Sequence, residues 1–373
     1  DAATGGAAGA AGATAAILRQ IPWDKLRAPL VALQIMIQYI SITGIRFPPM
    51  LESFFSWIAL LTLELGWIFS APCALGFDFY DKLLALTLMP LALGALFGAS
   101  HLLAQWRASG DAVRQRRTGR RHLSAVLVLS FFVYSSVSSA CFQTFACDNL
   151  GGGKSFLRAD YSISCDTLTH RSYEVYAGFM ALFYAVGIPC FYLFLLWSHR
   201  RGFGMRRSES TAAVSRVGST AAVSRVGSTT TVSKPQERLR DPKLATSRFL
   251  WRPYRAPLFY WEVVECGRRL LLTGVLAFIL PGSPGQSAVA CLLAVVTLAV
   301  YAAFWPLEDR LDGYAYVLSC FTIFAVMFLG LVMEAEVSGD TNGSGTVLAM
   351  LVVVLTVFLV AAVLLQLVLA AVG

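Results

Sequence analysis

Leu83-Leu-Ala-Leu-Thr-Leu-Met-Pro-Leu-Ala-Leu-Gly-Ala-Leu-Phe-Gly-Ala-Ser-His-Leu-Leu103 holds 21 residues without one Asp, Glu, Lys or Arg. About 20 apolar residues of helix cross the roughly 30 Å of hydrocarbon in a bilayer. The stretch therefore reads as a membrane span. Similar runs cover Leu30 to Ile45, Leu123 to Phe145, Tyr173 to Trp197, Leu258 to Leu280, Ala288 to Trp305, Tyr314 to Met333 and Val347 to Val372. Together they predict an all-α polytopic membrane protein, a bundle of about eight transmembrane helices. Residues 50–69 are apolar too but carry Glu52 and Glu64. They read as an outer amphipathic or re-entrant helix, or as a ninth span. The first keeps Arg19, Lys25 and Arg27 in the cytosol, as the positive-inside rule prefers.

Composition agrees. The chain is 57% hydrophobic and 14% charged, and its mean hydropathy is +0.64. Soluble domains are about one quarter charged. The net charge of +8 is concentrated in two segments between apolar runs, 107–121 and 198–257. Basic segments beside spans are topology signals, so nucleic acid is not an expected partner. Both segments are assigned to the cytosol, with both termini, and 146–172 and 334–344 to the outside. Asn342 opens an Asn-Gly-Ser sequon on that outer side and is the candidate glycosylation site. The expected location is the plasma membrane or an endomembrane.

Four regions follow. Residues 1–24 form a flexible Gly/Ala-rich linker, and 25–198 a first membrane half with the outer loop 146–172. Residues 199–250 form a disordered basic cytosolic loop, and 251–373 a second membrane half. Asp1 is not a start methionine and Gly373 directly follows an apolar run, so a longer parent protein is expected. Within the basic loop a nine-residue unit from Ser210 recurs at Ser219 and, decayed, at Ser228. Arginine stands three residues before each of these serines, which suits a basophilic kinase. Phosphorylation there would weaken the hold of the loop on anionic lipid. The bland alternative is a solvated linker. The expected partners are the bilayer, anionic lipid at the basic loops, such a kinase at 208–233, and a second copy of the chain.

The run Leu270 to Leu280 is too short to cross alone. The span must include Glu262, Glu265, Arg268 and Arg269, and charges inside a span are costly unless paired or facing a cavity. Two readings stand: an ion path or gating contact, and a structural ion-pair cluster with both arginines snorkelling to the interface. Pro90, Gly187 and Pro189 interrupt two spans and are candidate hinges, or static kinks. Gly94 and Gly98 form a G-x-x-x-G pair suited to close helix contact. The stripe Tyr134-Ser-Ser-Val-Ser-Ser139 with Gln143 and Thr144 suits either a polar path or helix packing.

Of eight cysteines, Cys190, Cys266, Cys291 and Cys320 lie in apolar runs. Cys147 and Cys165 share one outer loop and are expected to bridge, leaving Cys73 and Cys141 as a second pair. Asp148, Asn149, Asp160 and Asp166 offer oxygen ligands, but their order matches no EF-hand. No C-x-x-C, G-x-S-x-G or H-E-x-x-H motif occurs. Neither an enzyme nor a cofactor or metal site is expected.

Several runs resemble one family. They are Phe77-Asp-Phe-Tyr-Asp-Lys with Leu83-Leu-Ala-Leu-Thr-Leu-Met-Pro-Leu, Val133 to Cys147, Phe156 to Cys165, Gly187-Ile-Pro189, Phe249-Leu-Trp-Arg-Pro-Tyr254, and Trp261-Glu-Val-Val-Glu-Cys-Gly-Arg-Arg-Leu-Leu-Leu-Thr-Gly274. The pattern resembles the membrane module of TRP-like proteins of algae, oomycetes and other protists, over about residues 25–335. A more distant likeness is to the fungal TRP-like family, linked to calcium homeostasis and flavin transport. The resemblance implies a channel or transport module, passing cations such as calcium or regulating their passage, within a larger surface protein. The alternatives are a non-conducting anchor and signal transducer, and a carrier for a small flavin-type molecule. The resemblance supplies no pore residues.

Overall fold

The structure is a computed structural model that describes residues 23–45, 47, 49–61, 78–107, 112–149, 153–198, 244, 247–281, 283–336 and 356. It is mostly helical. The long helices are α1 (Trp23–Thr43), α3 (Phe79–Arg107), α4 (Ala112–Gln143), α9 (Pro284–Phe304) and α10 (Arg310–Glu336), with the shorter α2 (Pro49–Leu61) following α1. Helix α5 (Leu168–Ala181) continues through a π-helical turn, Leu182–Gly187, into α6 (Ile188–Ser198). The short α7 (Arg248–Trp251) precedes α8 (Trp261–Thr273), which ends in a 3-10 turn, Val275–Phe278.

Six helical segments are long and apolar enough to cross a membrane: Lys25–Thr43, Phe79–Trp106, Thr118–Gln143, Leu168–Ser198, Pro284–Phe304 and Arg310–Glu334. They match six of the eight expected spans. The seventh, 258–280, is a broken helix. Its α and 3-10 parts together extend about 27 Å at about 1.5 and 2.0 Å per residue. Gly274 marks the break, because a Cβ there would sit 2.6 Å from the Phe142 ring. The eighth, 347–372, lies outside the described residues except position 356. So do Ser210, Ser219, Ser228 and Asn342.

Helices α1 and α4 run in the same direction, with Gln34 bonded to Phe132 O and Gln38 bonded to Ser136. Helix α4 leads into a small sheet, and α3 starts there, where Phe79 N donates to Asp160. Thr43 and Phe79 therefore lie at the same end of the bundle. Helix α2 needs no crossing; it buries Leu51 and Phe55, one turn apart, in the main core and exposes Trp57. The stripe on α4 packs rather than lining a path. Ser135 donates to Gln38, Ser139 to Thr273 O, and Tyr134 to Cys266 O.

The mostly helical architecture is the expected one, with one addition and two corrections. Within the loop after α4, β1 (Cys147–Asn149), β2 (Ser155–Leu157) and β3 (Asp160–Ser164) form a small antiparallel sheet in the order β1-β2-β3. Its register pairs Asp148 with Phe156. Polar and apolar residues alternate along Asp160-Tyr-Ser-Ile-Ser164, the strand period. The basic segment 107–121 is largely helical, because α3 runs through Arg107 and α4 starts at Ala112; arginine is a good helix former. Cys141 is a free thiol, so the expected bridge to Cys73 is not made. It sits at 0% exposure on the core side of α4 with Leu83, Val137 and Tyr184. Cys73 itself lies outside the described residues.

Cys147 and Cys165 do form a disulfide, closing the sheet. Asp148 reinforces it by accepting from Arg158 Nε at 3.0 Å and from Tyr161 Oη at 2.9 Å. Asp160 accepts from Ser162, and Asp166 from the Ser155 hydroxyl and amide. These carboxylates therefore bind protein donors within the sheet.

The hydrogen bond from Arg158 holds the Asp148 carboxyl below the usual carboxylate range. A lowered folded value contributes stability that is present above the unfolded value of about 3.9 and lost as pH falls through the folded one. At neutral pH, Asp148→Asn is expected to cost the sheet about 0.5–1 kcal/mol, the scale of an exposed pair. Hydrogen-exchange mass spectrometry of the 147–164 region checks this. The gap between wild type and variant should close as the pH is lowered below the folded value.

Candidate functional site

The four span charges meet at the end of the bundle opposite the sheet. Glu262, Glu265, Arg268 and Arg269 occupy the first turns of α8, where helix spacing puts residues three and four apart side by side. Glu262 also sits in the first turn, where the helix dipole favours a negative charge. Glu262 and Arg269 are 0% and 1% exposed.

Each charge has named partners. Glu262 Oε2 accepts from Arg27 Nη2 and, at 2.9 Å, from Tyr254 Oη. Arg269 Nη2 lies 3.6 Å from the other oxygen of Glu262. Glu265 accepts from Arg268 Nε at 3.0 Å and from Tyr316 Oη at 2.7 Å, with Arg269 Nε at 3.8 Å. Arg27 Nη1 donates to Phe249 O at 2.8 Å and Arg269 Nη1 to Phe131 O at 3.3 Å. The guanidinium groups of Arg27 and Arg269 lie 4.7 and 4.1 Å from the centroid of the Phe131 ring. Such contacts strengthen when desolvated.

At the rim, Lys25 lies 3.5 Å from both Asp309 and Asp312. The network thus balances Lys25, Arg27, Arg268 and Arg269 against Glu262, Glu265, Asp309 and Asp312. A neutral, paired set is what a low-dielectric interior tolerates. The adjoining cavity is about 30 Å³ and is lined by Arg27, Tyr254, Glu262, Glu265, Arg269 and Tyr316 among others. That is room for a water molecule or two. Glu262 Oε1 and Arg269 Nε, which make no hydrogen bond to protein, belong to residues that line it.

The four charges are thus paired inside the bundle, and one detail differs from expectation. Arg268 and Arg269 do not snorkel; they are 8% and 1% exposed, because carboxylates, a carbonyl and aromatic rings all lie within reach. The closest partner of Glu265 is Arg268, three residues on, rather than Arg269. Sequence reasoning missed Arg27, Tyr254 and Tyr316. Arg27 was weighed only as a topology charge, and nothing in its neighbourhood pairs it with Glu262, which is 235 residues away. Tyr254 lies within a run that carries the family resemblance. Tyr316 carries no sequence signal.

The candidate hinges meet elsewhere. Pro90 and Gly187 line one cavity of about 510 Å³, and Pro189 follows the π turn. A proline lacks its N–H and its ring crowds the carbonyl four residues back, here that of Ala185, inside the π turn. Among the described residues the expected close contact at Gly94 and Gly98 is not made: a Cβ at either would meet nothing within 4 Å. Cys147, Cys165 and His170 have ligand-type atoms within 4.8 Å of one another. The sulfurs are committed to the disulfide, and His170 bonds Tyr80 Oη through Nδ1 at 2.9 Å, so the trio is a clamp.

The long apolar helices and the buried, self-neutralised charges fit an α-helical integral membrane protein. Comparison with protein-family models, curated proteins and solved structures gives no match to this chain.

Removing one partner from a buried pair costs about 3–5 kcal/mol, because the other charge is left uncompensated. Glu262→Gln and Arg27→Gln should each lower the thermal midpoint in detergent micelles. The double variant should lose clearly less than the sum, since the two groups interact directly. Additive losses in thermal unfolding followed by circular dichroism would show that the pair is not coupled.

Proposed function

We propose that this chain is the membrane module of a TRP-like channel or transport protein, and that the charge cluster is its gating contact. The observation that supports this is the broken helix: α8 carries four buried charges and gives way to a 3-10 turn inside the bundle. Discontinuous helices with intramembrane charges recur at transport sites. Two of the runs that carry the family resemblance, 249–254 and 261–274, supply most of the cluster. The cluster is neutral with its rim and has no surplus negative charge to attract a cation. It acts as a latch that ties α1 and α10 to α8, and permeation runs elsewhere.

In this reading the cluster end faces the cytosol, by the Lys/Arg asymmetry. The disulfide-closed sheet faces the oxidising outside, where such bonds persist.

The test is cation flux into liposomes holding the purified chain. The channel reading expects calcium or potassium flux above protein-free vesicles, and about tenfold more with Arg27→Gln, as a latch weakened by about 1.4 kcal/mol would give. If neither wild type nor this variant passes ions while both stay folded, the anchor reading replaces it.

A further inference from the structure

We propose that the cavity between α3, α4 and the π turn is a binding site for the acyl chain of a bilayer lipid. The inference does not depend on whether the protein conducts. A π turn and an in-helix proline border the space. Helices α3 and α5 are tied by hydroxyls: Thr87 Oγ1 and Tyr176 Oη lie 2.6 Å apart, and Tyr184 Oη donates to Thr87 O at 2.8 Å. Beyond this tie α3 carries Pro90, whose ring takes the place of an amide N–H inside the helix, and the wider π turn Leu182–Gly187 interrupts the facing helix. A wedge of about 510 Å³ remains between them, walled by Pro90, Gly94, Val133, Phe183, Gly187 and Phe191 among others. Pockets for small molecules span about 300–1,000 Å³.

The chemistry of the walls selects the occupant. Ser130 and Tyr184 carry the polar side-chain groups of the lining. Both are satisfied within the protein, Ser130 by Leu127 O at 3.0 Å and Tyr192 Oη at 2.7 Å, and Tyr184 by Thr87 O. A ligand's polar group entering here would lose its water and gain no partner. Hydrocarbon loses nothing. Depth agrees with this. Gly94 lies near the middle of the span Phe79–Trp106, about 20 Å of helix from either end at about 1.5 Å per residue. An amphiphile with its head at the interface reaches this depth with its tail. The mouth is open to the bilayer: Phe183 and Phe191 at its rim are 56% and 40% exposed. The chain lies against Gly187 and Phe183 and so props the π turn open.

The probe is a phosphatidylcholine with a diazirine in its acyl chain, in vesicles holding the full-length chain. Labelled peptides are mapped as its mole fraction rises. Labelling of 126–133 and 183–191 should saturate. Labelling at Leu292 and Val296, on the exposed face of α9, should rise without saturation, as for lipid that merely surrounds the protein. Gly94→Phe points a ring into open space and should cut cavity labelling about tenfold, as a loss of about 1.4 kcal/mol in affinity would, with α9 unchanged. Ala95→Leu, a smaller wedge, should reduce it in the same direction if Gly94→Phe does not reach the membrane. Parallel unsaturated labelling of both faces overturns the proposal. So does cavity labelling that neither variant alters, or labelling by a diazirine sterol in place of the phospholipid.

Discussion

The contact between Arg27 and Glu262 is the constraint on which the rest of the bundle depends. A charge removed from water costs several kcal/mol even after the protein relaxes. It persists inside a membrane domain only if the surroundings supply a counter-charge and hydrogen bonds. Glu262 obtains these from α1, through Arg27, from the segment before α8, through Tyr254, and from its own helix, through Arg269. Glu265 recruits α10 through Tyr316. Once α8 is committed to bearing these charges, α1, α4 and α10 must pack where their partners lie. Phe131 of α4, whose ring centroid lies 4.7 and 4.1 Å from the Arg27 and Arg269 guanidinium groups, fixes the fourth helix.

Apolar burial does less to organise this protein than it would in water. Lipid tails are as apolar as leucine, so helices in a bilayer associate through packing and polar contacts. The pattern is visible at the other joints. Tyr39 donates to Ser287 at 2.8 Å and so ties α1 to α9, and Gly330 on α10 leaves room for that tyrosine ring. Gln38 and Ser135 tie α1 to α4, and Thr87 with Tyr176 and Tyr184 ties α3 to α5. Next to the last of these ties lies the wedge lined by Pro90 and Gly187.

The sequence announced the helices well and the site only in half. Long uncharged runs such as Leu83 to Leu103 are legible because a bilayer demands length and apolarity together. The shortfall of Leu270 to Leu280 pointed to α8, whose four charges the bundle buries. The bridge between Cys147 and Cys165 was readable because both fall in one polar loop. What failed was either long-range or dependent on context. Arg27 and Tyr316 reach the cluster from distant segments, with no periodicity to mark them. The sheet hid in a polar loop whose strands are three to five residues long. Gly94 and Gly98 have the spacing of a contact motif, yet among the described residues nothing packs against either. Cys141 stood close to the loop cysteines in sequence, while the helical period of α4 aims it into the core.

The central claim is that Arg27 holds α1 against α8 by neutralising Glu262. Alkylation of buried thiols by a small membrane-permeant maleimide, in intact membranes well below the unfolding temperature, tests it most directly. Cys266 and Cys320 lie beside the cluster at 1% and 3% exposure, and Cys141 lies in a separate core at 0%. In Arg27→Gln the account expects Cys266 and Cys320 to react about tenfold faster, as an opening easier by about 1.4 kcal/mol would give, with Cys141 as slow as in wild type. Unchanged rates at Cys266 and Cys320 would contradict it.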